Sequence, residues 1–181
     1  MIRRWLLWWW TRRDSRSEFT FPGALRQASR ILILMPSWQE GSRQSEFFLS
    51  HVPRAFPKAE ITLLYPPKSI TARFYNPFGF HAIVPASSEV GWWGIPRTKF
   101  LAPLFEKPFD VIITLDREPS VFLAAIMASS GTPVRLGLPN GMGAPYVTVE
   151  LRHGRDEADI KTEFILFIEM IRRLAAPSTA P

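Results

Sequence analysis

The stretch from residue 30 to residue 56 constrains the fold of this chain more than any other part of the sequence. It opens with a run of apolar residues at positions 31–35, continues through a polar loop at residues 36–42, and then changes to a helical pattern. The apolar run is continuous and not alternating, which is typical of a strand buried on both faces of a parallel sheet. A helix is predicted over about residues 43–55, and Pro53 inside it predicts a bent or broken last turn.

Strand and helix patterns then alternate along most of the chain. Further strands are predicted at residues 60–65, 81–84, 109–116, 134–138 and 146–151, and helices at residues 69–75, 98–105, 119–130 and 156–174. This alternation indicates an α/β fold, a Rossmann-like three-layer sandwich with a mainly parallel sheet, in a single domain at residues 30–174. A connector at residues 17–29 precedes the domain, and a disordered tail is expected at residues 175–181. The apolar stripe of the last helix is most simply core, although it could instead dock another subunit.

The composition of the chain excludes several kinds of functional site. The chain has no Cys, which excludes disulfides, thiolate metal sites and a Cys nucleophile. Its 181 residues suffice for one domain with its own core, and its net charge of +6 favours anionic partners such as acidic lipid. The three His residues lack metal-binding spacing, the glycines at residues 137–143 form no nucleotide signature, and no Ser nucleophile motif is present. We therefore expect no cofactor and no metal.

Residues 1–16 form a basic, Trp-rich arm, and four of the chain's seven Trp residues lie within its first ten positions. Its apolar run is much shorter than the roughly 20 residues that span a bilayer, and it lacks the cleavage site of a secretory signal. Trp rings prefer the headgroup boundary of a membrane, and Arg side chains pair with lipid phosphates. The residues predicted to contact a membrane surface or a membrane protein complex are Arg3, Arg4, Trp5, Trp8, Trp9, Trp10, Arg12 and Arg13. The alternative is that the arm packs on the domain's own surface.

Trp92 and Trp93 lie between two glycines in a loop predicted over residues 86–96. Exposed aromatic side chains at a loop tip often anchor a partner, so both residues join the predicted membrane or partner contact. The alternative is that they fold back over the edge of the sheet. Together with the arm, they predict a cytoplasmic protein that is peripheral to the inner membrane. A nucleic acid partner is not expected, because the basic residues cluster in one short arm without any RNA or DNA motif.

Ligands of Rossmann-like sheets bind beyond the carboxyl ends of the strands, where the strand order reverses. The loops after the first and fourth strands would line that crevice, and the candidate ligand contacts there are Glu40, Ser42, Asp116 and Glu118. For Glu40 we favour the simpler interpretation of a solvated loop acid. Asp116 and Glu118 are spaced for a shared ligand or a metal, but acids before a helix more often cap it, and we favour the cap.

Four phrases of the sequence carry a family resemblance. They are RILILMP at residues 30–36, FPKAEITLL at residues 56–64, FDVIITLD at residues 109–116 and GTPVRLG at residues 131–137. In this order they resemble the N-terminal half of the family 9 glycosyltransferases, the heptosyltransferase-like enzymes. They also resemble short bacterial proteins that keep only that half. The resemblance implies a Rossmann-like fold.

The sequence also departs from the pattern of this family at two points that concern its activity. Family members place a Gly–Asp pair in the loop that opens the first helix, where the carboxylate is thought to activate the acceptor hydroxyl. Gly41 and Ser42 correspond to that pair here, and a Ser side chain cannot act alone as a general base. The family's C-terminal half, which holds the nucleotide-sugar donor, has no counterpart in this sequence.

Three functions follow as hypotheses. We favour a non-catalytic glycosyltransferase-like domain that serves as a peripheral accessory or interaction subunit at a membrane surface or in a membrane protein complex. The second is a heptosyltransferase-type glycosyltransferase whose donor-binding half comes from a partner chain. The third is a regulator that binds a small ligand or a nucleotide in the switch-point crevice.

Overall fold

The computed structural model of the protein describes residues 20–67, 78–117, 120–138, 141, 143–150 and 159–176. Within this part, six strands form one parallel sheet: β1 (Arg30–Leu34), β2 (Glu60–Leu64), β3 (His81–Ile83), β4 (Val111–Thr114), β5 (Val134–Gly137) and β6 (Val149–Glu150). Their order in the sheet is β3-β2-β1-β4-β5-β6. The predicted α/β, Rossmann-like fold is confirmed. The predicted arm at residues 1–16, the predicted helix at residues 69–75 and the candidate Glu118 lie outside the described residues.

Helices cover both faces of this sheet. They are α1 (Gly23–Arg26), α2 (Gln39–Ala55), α3 (Thr98–Leu104), α4 (Val121–Ser129) and α5 (Ile160–Ala175), with a 3₁₀ turn at Ser87–Glu89. The helices α1, α2 and α5 pack on one face, and α3 and α4 pack on the other. Because both faces are covered, the central strands are apolar on both sides.

β1 is the central strand of the sheet, paired in parallel with β2 on one side and β4 on the other. Its side chains alternate between the two faces. Ile31 and Ile33 pack in the cluster beneath α2 and α5, whereas Leu32 and Leu34 pack in the cluster beneath α3 and α4. This two-sided burial explains the continuous apolar run from which the sequence predicted a buried strand.

The last helix, α5, contributes its apolar stripe to the core. Phe164, Phe167, Ile168 and Ile171 are all buried, and the ring of Phe167 stacks on Phe48 of α2 with the ring centroids 5.7 Å apart. The simpler of the two interpretations of this stripe is therefore the observed one.

Asp110 joins β4 to the segment before β1 at the amino edge of the sheet. Its Oδ2 accepts hydrogen bonds from the N–H and the hydroxyl of Ser29, both at 2.8 Å, and from the N–H of Arg30 at 2.9 Å. Desolvation acts to raise the pKa of Asp110, but these hydrogen bonds and the nearby Arg30 charge outweigh it, so the pKa is lowered. The ionised carboxylate thus stabilises this edge.

The helix α2 departs from its prediction at both ends. It begins at Gln39 and not near residue 43, because Trp38 is extended as the N-cap and its indole lies over Gly41 in the first turn. It also continues through Pro53 to Ala55, so of the predicted bent or broken last turn the break is wrong. The missing Pro53 N–H falls in the last turn, where burial of Ala55 in the core stabilises the helix against the loss of one hydrogen bond.

The predicted sixth strand at residues 146–151 is shorter in the structure. The N–H groups of Tyr146 and Val147 both donate to the Gly143 carbonyl, at 3.1 and 3.0 Å, so the strand begins at Val149, and of the described residues 143–150 the last two, Val149 and Glu150, are in the sheet. The strands β2 to β5 and the helices α3 and α4 lie within their predicted ranges, with the end residues trimmed.

The helix α5 begins at Ile160 and not at residue 156. Asp159 is its N-cap, and its Oδ1 accepts a hydrogen bond from the N–H of Thr162 at 2.7 Å. This hydrogen bond lowers the pKa of Asp159 below its ordinary value. The cap therefore fixes Ile160 as the first residue of α5, at the carboxyl edge of the sheet.

Candidate functional site

The strand order reverses between β1 and β4, which creates a switch point at the carboxyl edge of the sheet. There the loop at residues 35–38 leads from β1 into α2, and the loop at residues 115–120 leads from β4 into α4. These are the two loops that the sequence analysis assigned to the crevice. Their side chains decide what the edge can do chemically.

Asp116 connects the two loops and is 0% exposed. The Ser37 hydroxyl donates to its Oδ1 across the switch point at 3.4 Å, and the Asp116 N–H donates to the Thr114 hydroxyl at 3.3 Å. The loop after β5 also approaches closely, because a Cβ on Gly141 would lie only 3.0 Å from the Asp116 carbonyl oxygen. The carboxyl group is thus held inside the edge, where it packs the loops together.

The favoured interpretation of Asp116 as a helix cap is wrong. Ser120 is the N-cap of α4, and its hydroxyl oxygen accepts from the N–H of Leu123 at 3.5 Å. Asp116 lies too far before Val121, the first residue of the helix, to reach the free N–H groups of the first turn. Its role as a ligand contact stays a prediction.

Glu40 lies in the first turn of α2 and not in a loop. Its side chain is 56% exposed, its Oε1 accepts from Gln44 Nε2 at 2.7 Å, and its Oε2 lies 3.9 Å from Arg43 Nη1. Glu40 is therefore a solvated helix acid, close to the simpler of its two interpretations. The backbone of Ser42 is in the same helical turn, and its side chain lies outside the description.

A groove between α2 and α5 was not predicted from the sequence. Its volume is about 510 Å³, and its described lining comprises Glu40, Arg43, Gln44, Glu46, Phe47, Ser50, Phe78 and Lys161. The α2 residues share one stripe of the helix, next to its buried stripe. The lining combines two cations, two anions and two aromatic rings, which suits a polar organic molecule with one apolar side.

The N-terminal end of α5 is fixed to the switch point by an ion pair. Arg117 Nε lies 3.2 Å from Glu163 Oε2, and the side chain of Glu163 is only 5% exposed. No local sequence pattern connects these two positions, so the pair could not be predicted. A long-range pairing of this kind requires knowledge of how α5 packs.

Residues 90–96 form a tight turn after β3, called here the tryptophan turn. Val90 and Pro96 make an antiparallel bridge, the Gly91 N–H donates to the Ile95 carbonyl at 2.8 Å, and the Gly94 N–H donates to the Gly91 carbonyl at 2.9 Å. Gly94 has a φ of +76°, a backbone conformation that favours glycine. The turn is thus defined by its own backbone hydrogen bonds.

The indoles of this turn lie at the surface. Trp92 is 95% exposed and Trp93 is 63% exposed. Trp92 therefore does not fold back over the sheet edge, which was the alternative left open for this pair. Large exposed aromatic side chains in an ordered turn are unusual in a soluble domain and point to a contact surface.

Two further properties concern the whole described part of the chain. None of its helices is long and apolar enough to cross a bilayer, and no three of its His, Asp or Glu side chains gather as metal ligands.

Tyr65, which follows β2 at the carboxyl edge, is fully buried, and burial raises its pKa to about 12. Its phenol is therefore neutral at physiological pH.

Comparison with known proteins supports the fold. No protein-family model and no curated protein matches the sequence. The structure is similar to a family 9 glycosyltransferase from Veillonella parvula DSM 2008, with a TM-score of 0.61 and 19% identity over 79% of this chain. It is also similar to the E. coli heptosyltransferase WaaC with ADP, with a TM-score of 0.58 and 13% identity over 83% of this chain.

The similarity extends over only part of those two proteins. The matched region covers 41% of the Veillonella protein and 49% of WaaC. At sequence identities of 19% and 13%, the comparison supports the fold alone. The chain thus has a glycosyltransferase-like, Rossmann-like fold that corresponds to less than half of each of these two proteins, in line with the resemblance of its sequence phrases.

Proposed function

We propose that this chain is a non-catalytic glycosyltransferase-like domain that acts as a peripheral accessory or interaction subunit, at a membrane surface or in a membrane protein complex at the cytoplasmic side of the inner membrane. The observation that carries the proposal is the tryptophan turn, which presents Trp92 with 95% of its surface exposed. Burial of a side chain of that size against a partner lowers the free energy of the system. Because the backbone of the turn is already held by hydrogen bonds, the contact costs little conformational entropy.

The carboxyl edge of the sheet supports the non-catalytic part of the proposal. Asp116 is 0% exposed and is hydrogen-bonded across the switch point, so its carboxyl group is not directed at an incoming acceptor. Glu40 is exposed in the α2–α5 groove, where Gln44 Nε2 donates to its Oε1. A general base must reach the proton that it removes, but the acid at the switch point is buried and the exposed acid lines the groove instead.

The test is purification of the native protein from its own membranes in mild detergent, followed by mass spectrometry of the proteins that accompany it. The proposal expects a stoichiometric set of membrane proteins, and it expects the double variant Trp92→Ala/Trp93→Ala to weaken that association. Phe78→Ala is the matched control, because Phe78 is also a partly exposed aromatic residue, at 37%. Recovery of the protein alone in the soluble fraction would contradict the proposal.

The groove between α2 and α5 favours a second candidate, a small-ligand or nucleotide-binding regulator. Its volume of about 510 Å³ is in the range of small-molecule sites, and Arg43 and Lys161 could pair with an anionic group. A nucleotide that co-purifies with the protein would support this candidate. Calorimetric binding of a nucleoside-diphosphate sugar would instead favour the transferase that shares its donor site with a partner.

A further inference from the structure

We propose that the tryptophan turn is a lipid-binding site, in which Trp92 and Trp93 insert into the headgroup boundary of an anionic bilayer while Arg97 and Lys99 lie against the lipid phosphates. The inference rests on the proposed function and names its partner. It is separate from the contact predicted for the N-terminal arm, because it assigns the membrane contact to a turn within the described α/β domain.

The turn is preorganised for insertion. Besides the hydrogen bonds within it, the Arg97 N–H donates to the Glu89 carbonyl at 2.8 Å, which closes the base of the turn. The Glu89 carboxylate accepts from the Ala86 N–H at 2.7 Å and is thereby held away from the tip. Both indoles project from a fixed backbone, so binding orders few additional torsions.

The area of the tip favours lipid over a protein partner. With exposures of 95% and 63%, the two Trp side chains together offer roughly 240–400 Å² of surface, whereas a stable protein interface takes about 800 Å² from each partner. Glycines at positions 91 and 94 flank the pair, so the residues directly before and after it add no side chain to the contact area. A bilayer requires no complementary shape, and indoles prefer its interface.

The charges beside the turn are those expected for an anionic surface. Arg97 and Lys99 at the start of α3 are both exposed, and in the segment from residue 84 to residue 105 the single acid is Glu89. The whole chain carries a net charge of +6. Cations next to an interfacial aromatic pair increase affinity for acidic lipids and make it dependent on salt.

The position of the turn defines an orientation. β3 ends at Ile83 and α3 begins at Thr98, so the segment between them leaves and re-enters the fold at the carboxyl edge of the sheet. Val84, also in this segment, is 44% exposed. Insertion of the turn would therefore direct the carboxyl edge, with its switch point, towards the membrane.

A single-site fluorescence experiment tests the inference. Because the chain has no native Cys, Trp92→Cys can be labelled selectively with a polarity-sensitive dye in the full-length protein. The labelled protein is mixed with phosphatidylcholine vesicles with and without phosphatidylglycerol. The control is Glu106→Cys, an exposed residue between α3 and β4 and therefore at the amino edge of the sheet, whereas the turn follows β3 at the carboxyl edge.

With vesicles that contain phosphatidylglycerol, we expect the emission of the dye at position 92 to shift to the blue. The emission of the dye at position 106 should not shift. In co-sedimentation, Trp92→Ala/Trp93→Ala should lower vesicle binding roughly tenfold to a hundredfold. Arg97→Gln and Lys99→Gln should each lower it about fivefold, and only with the anionic lipid.

Two results would overturn the inference. If the protein sediments with vesicles but the dye at position 92 stays in water, the contact belongs to another part of the chain. If the shift occurs only with native membranes that contain protein, the turn binds a protein partner, and the accessory role survives while the lipid site does not. Conversely, a shift on vesicles for a protein that purifies alone from the soluble fraction would support the lipid site and reject the accessory role.

Discussion

Substitution of Gly137, the last residue of β5, tests whether this glycine serves packing and not nucleotide binding. A Cβ at this buried position would lie 2.7 Å from Val147 Cγ2 and 3.3 Å from Thr114 Cγ2. The nearer contact is about 1 Å shorter than the optimum for two carbon atoms. Val147 is only 7% exposed, and its β-branched side chain has few alternative rotamers, so it cannot easily move aside.

Two opposing terms decide the effect of Gly137→Ala. The added methyl group overpacks the site at a cost of about 1–3 kcal/mol. Replacement of glycine by alanine also lowers the conformational entropy of the unfolded chain, which stabilises the folded state by about 0.5–1 kcal/mol. We therefore expect a net loss of roughly 1–2 kcal/mol in the free energy of unfolding, measured by urea denaturation with far-ultraviolet circular dichroism.

A double-mutant cycle with Val147→Ala makes the test specific. Val147→Ala alone should destabilise by roughly 1–3 kcal/mol, because it removes buried methyl groups. In that background the alanine at position 137 has room, so Gly137→Ala should be neutral or stabilising, which gives a coupling of about 1–2 kcal/mol. Effects that simply add, or a Gly137→Ala variant that is more stable than the native chain, would refute the packing argument.

Three further predictions concern the core, the amino edge and the surface. Phe167→Ala should lower the free energy of unfolding by about 3–5 kcal/mol, because it removes the ring that stacks on Phe48; under 1 kcal/mol would mean that α5 is not docked as described. Asp110→Asn should cost roughly 0.5–1 kcal/mol at neutral pH, a value reduced for solvent screening of this exposed group. The lowered folded-state pKa of Asp110 means that its contribution is full above the ordinary value of 3.8 and is lost as the pH falls through the folded-state value, so urea unfolding of the two proteins should converge in acid. Trp92→Ala should change stability by less than about 0.5 kcal/mol, because the side chain is 95% exposed; a larger loss would mean that the indole packs on the domain.

The central fold was predictable because its signal is local. A strand buried on two faces is apolar along most of its length, and β1 and β4 satisfy this at residues 31–34 and 111–113. The start of α2 was not predictable in the same way. Gly41 weakens the local helical pattern, and only the position of the Trp38 indole over it shows that the helix already includes it.

The candidate site was predictable in place but not in detail. The loops after β1 and β4 meet at the switch point, as topology requires. The environment of Asp116 depends on Ser37 and on Gly141, which lie on other loops, so the sequence suggested a helix cap where the structure has a buried connection. The α2–α5 groove depends in the same way on how α5 packs.

The carboxyl edge combines two features that run against the usual distribution of residues. Carboxylates are normally exposed and large aromatic side chains buried, yet Asp116 is 0% exposed and Trp92 is 95% exposed. Burial of Asp116 has a local explanation, since its carboxyl group joins two loops across the switch point. Exposure of Trp92 has no such explanation within the domain, because the turn is held by backbone hydrogen bonds that do not need an indole. An exposed indole that the fold does not require is best explained by something outside the fold, and for this reason the functional proposal depends on the surface of this edge and not on its interior.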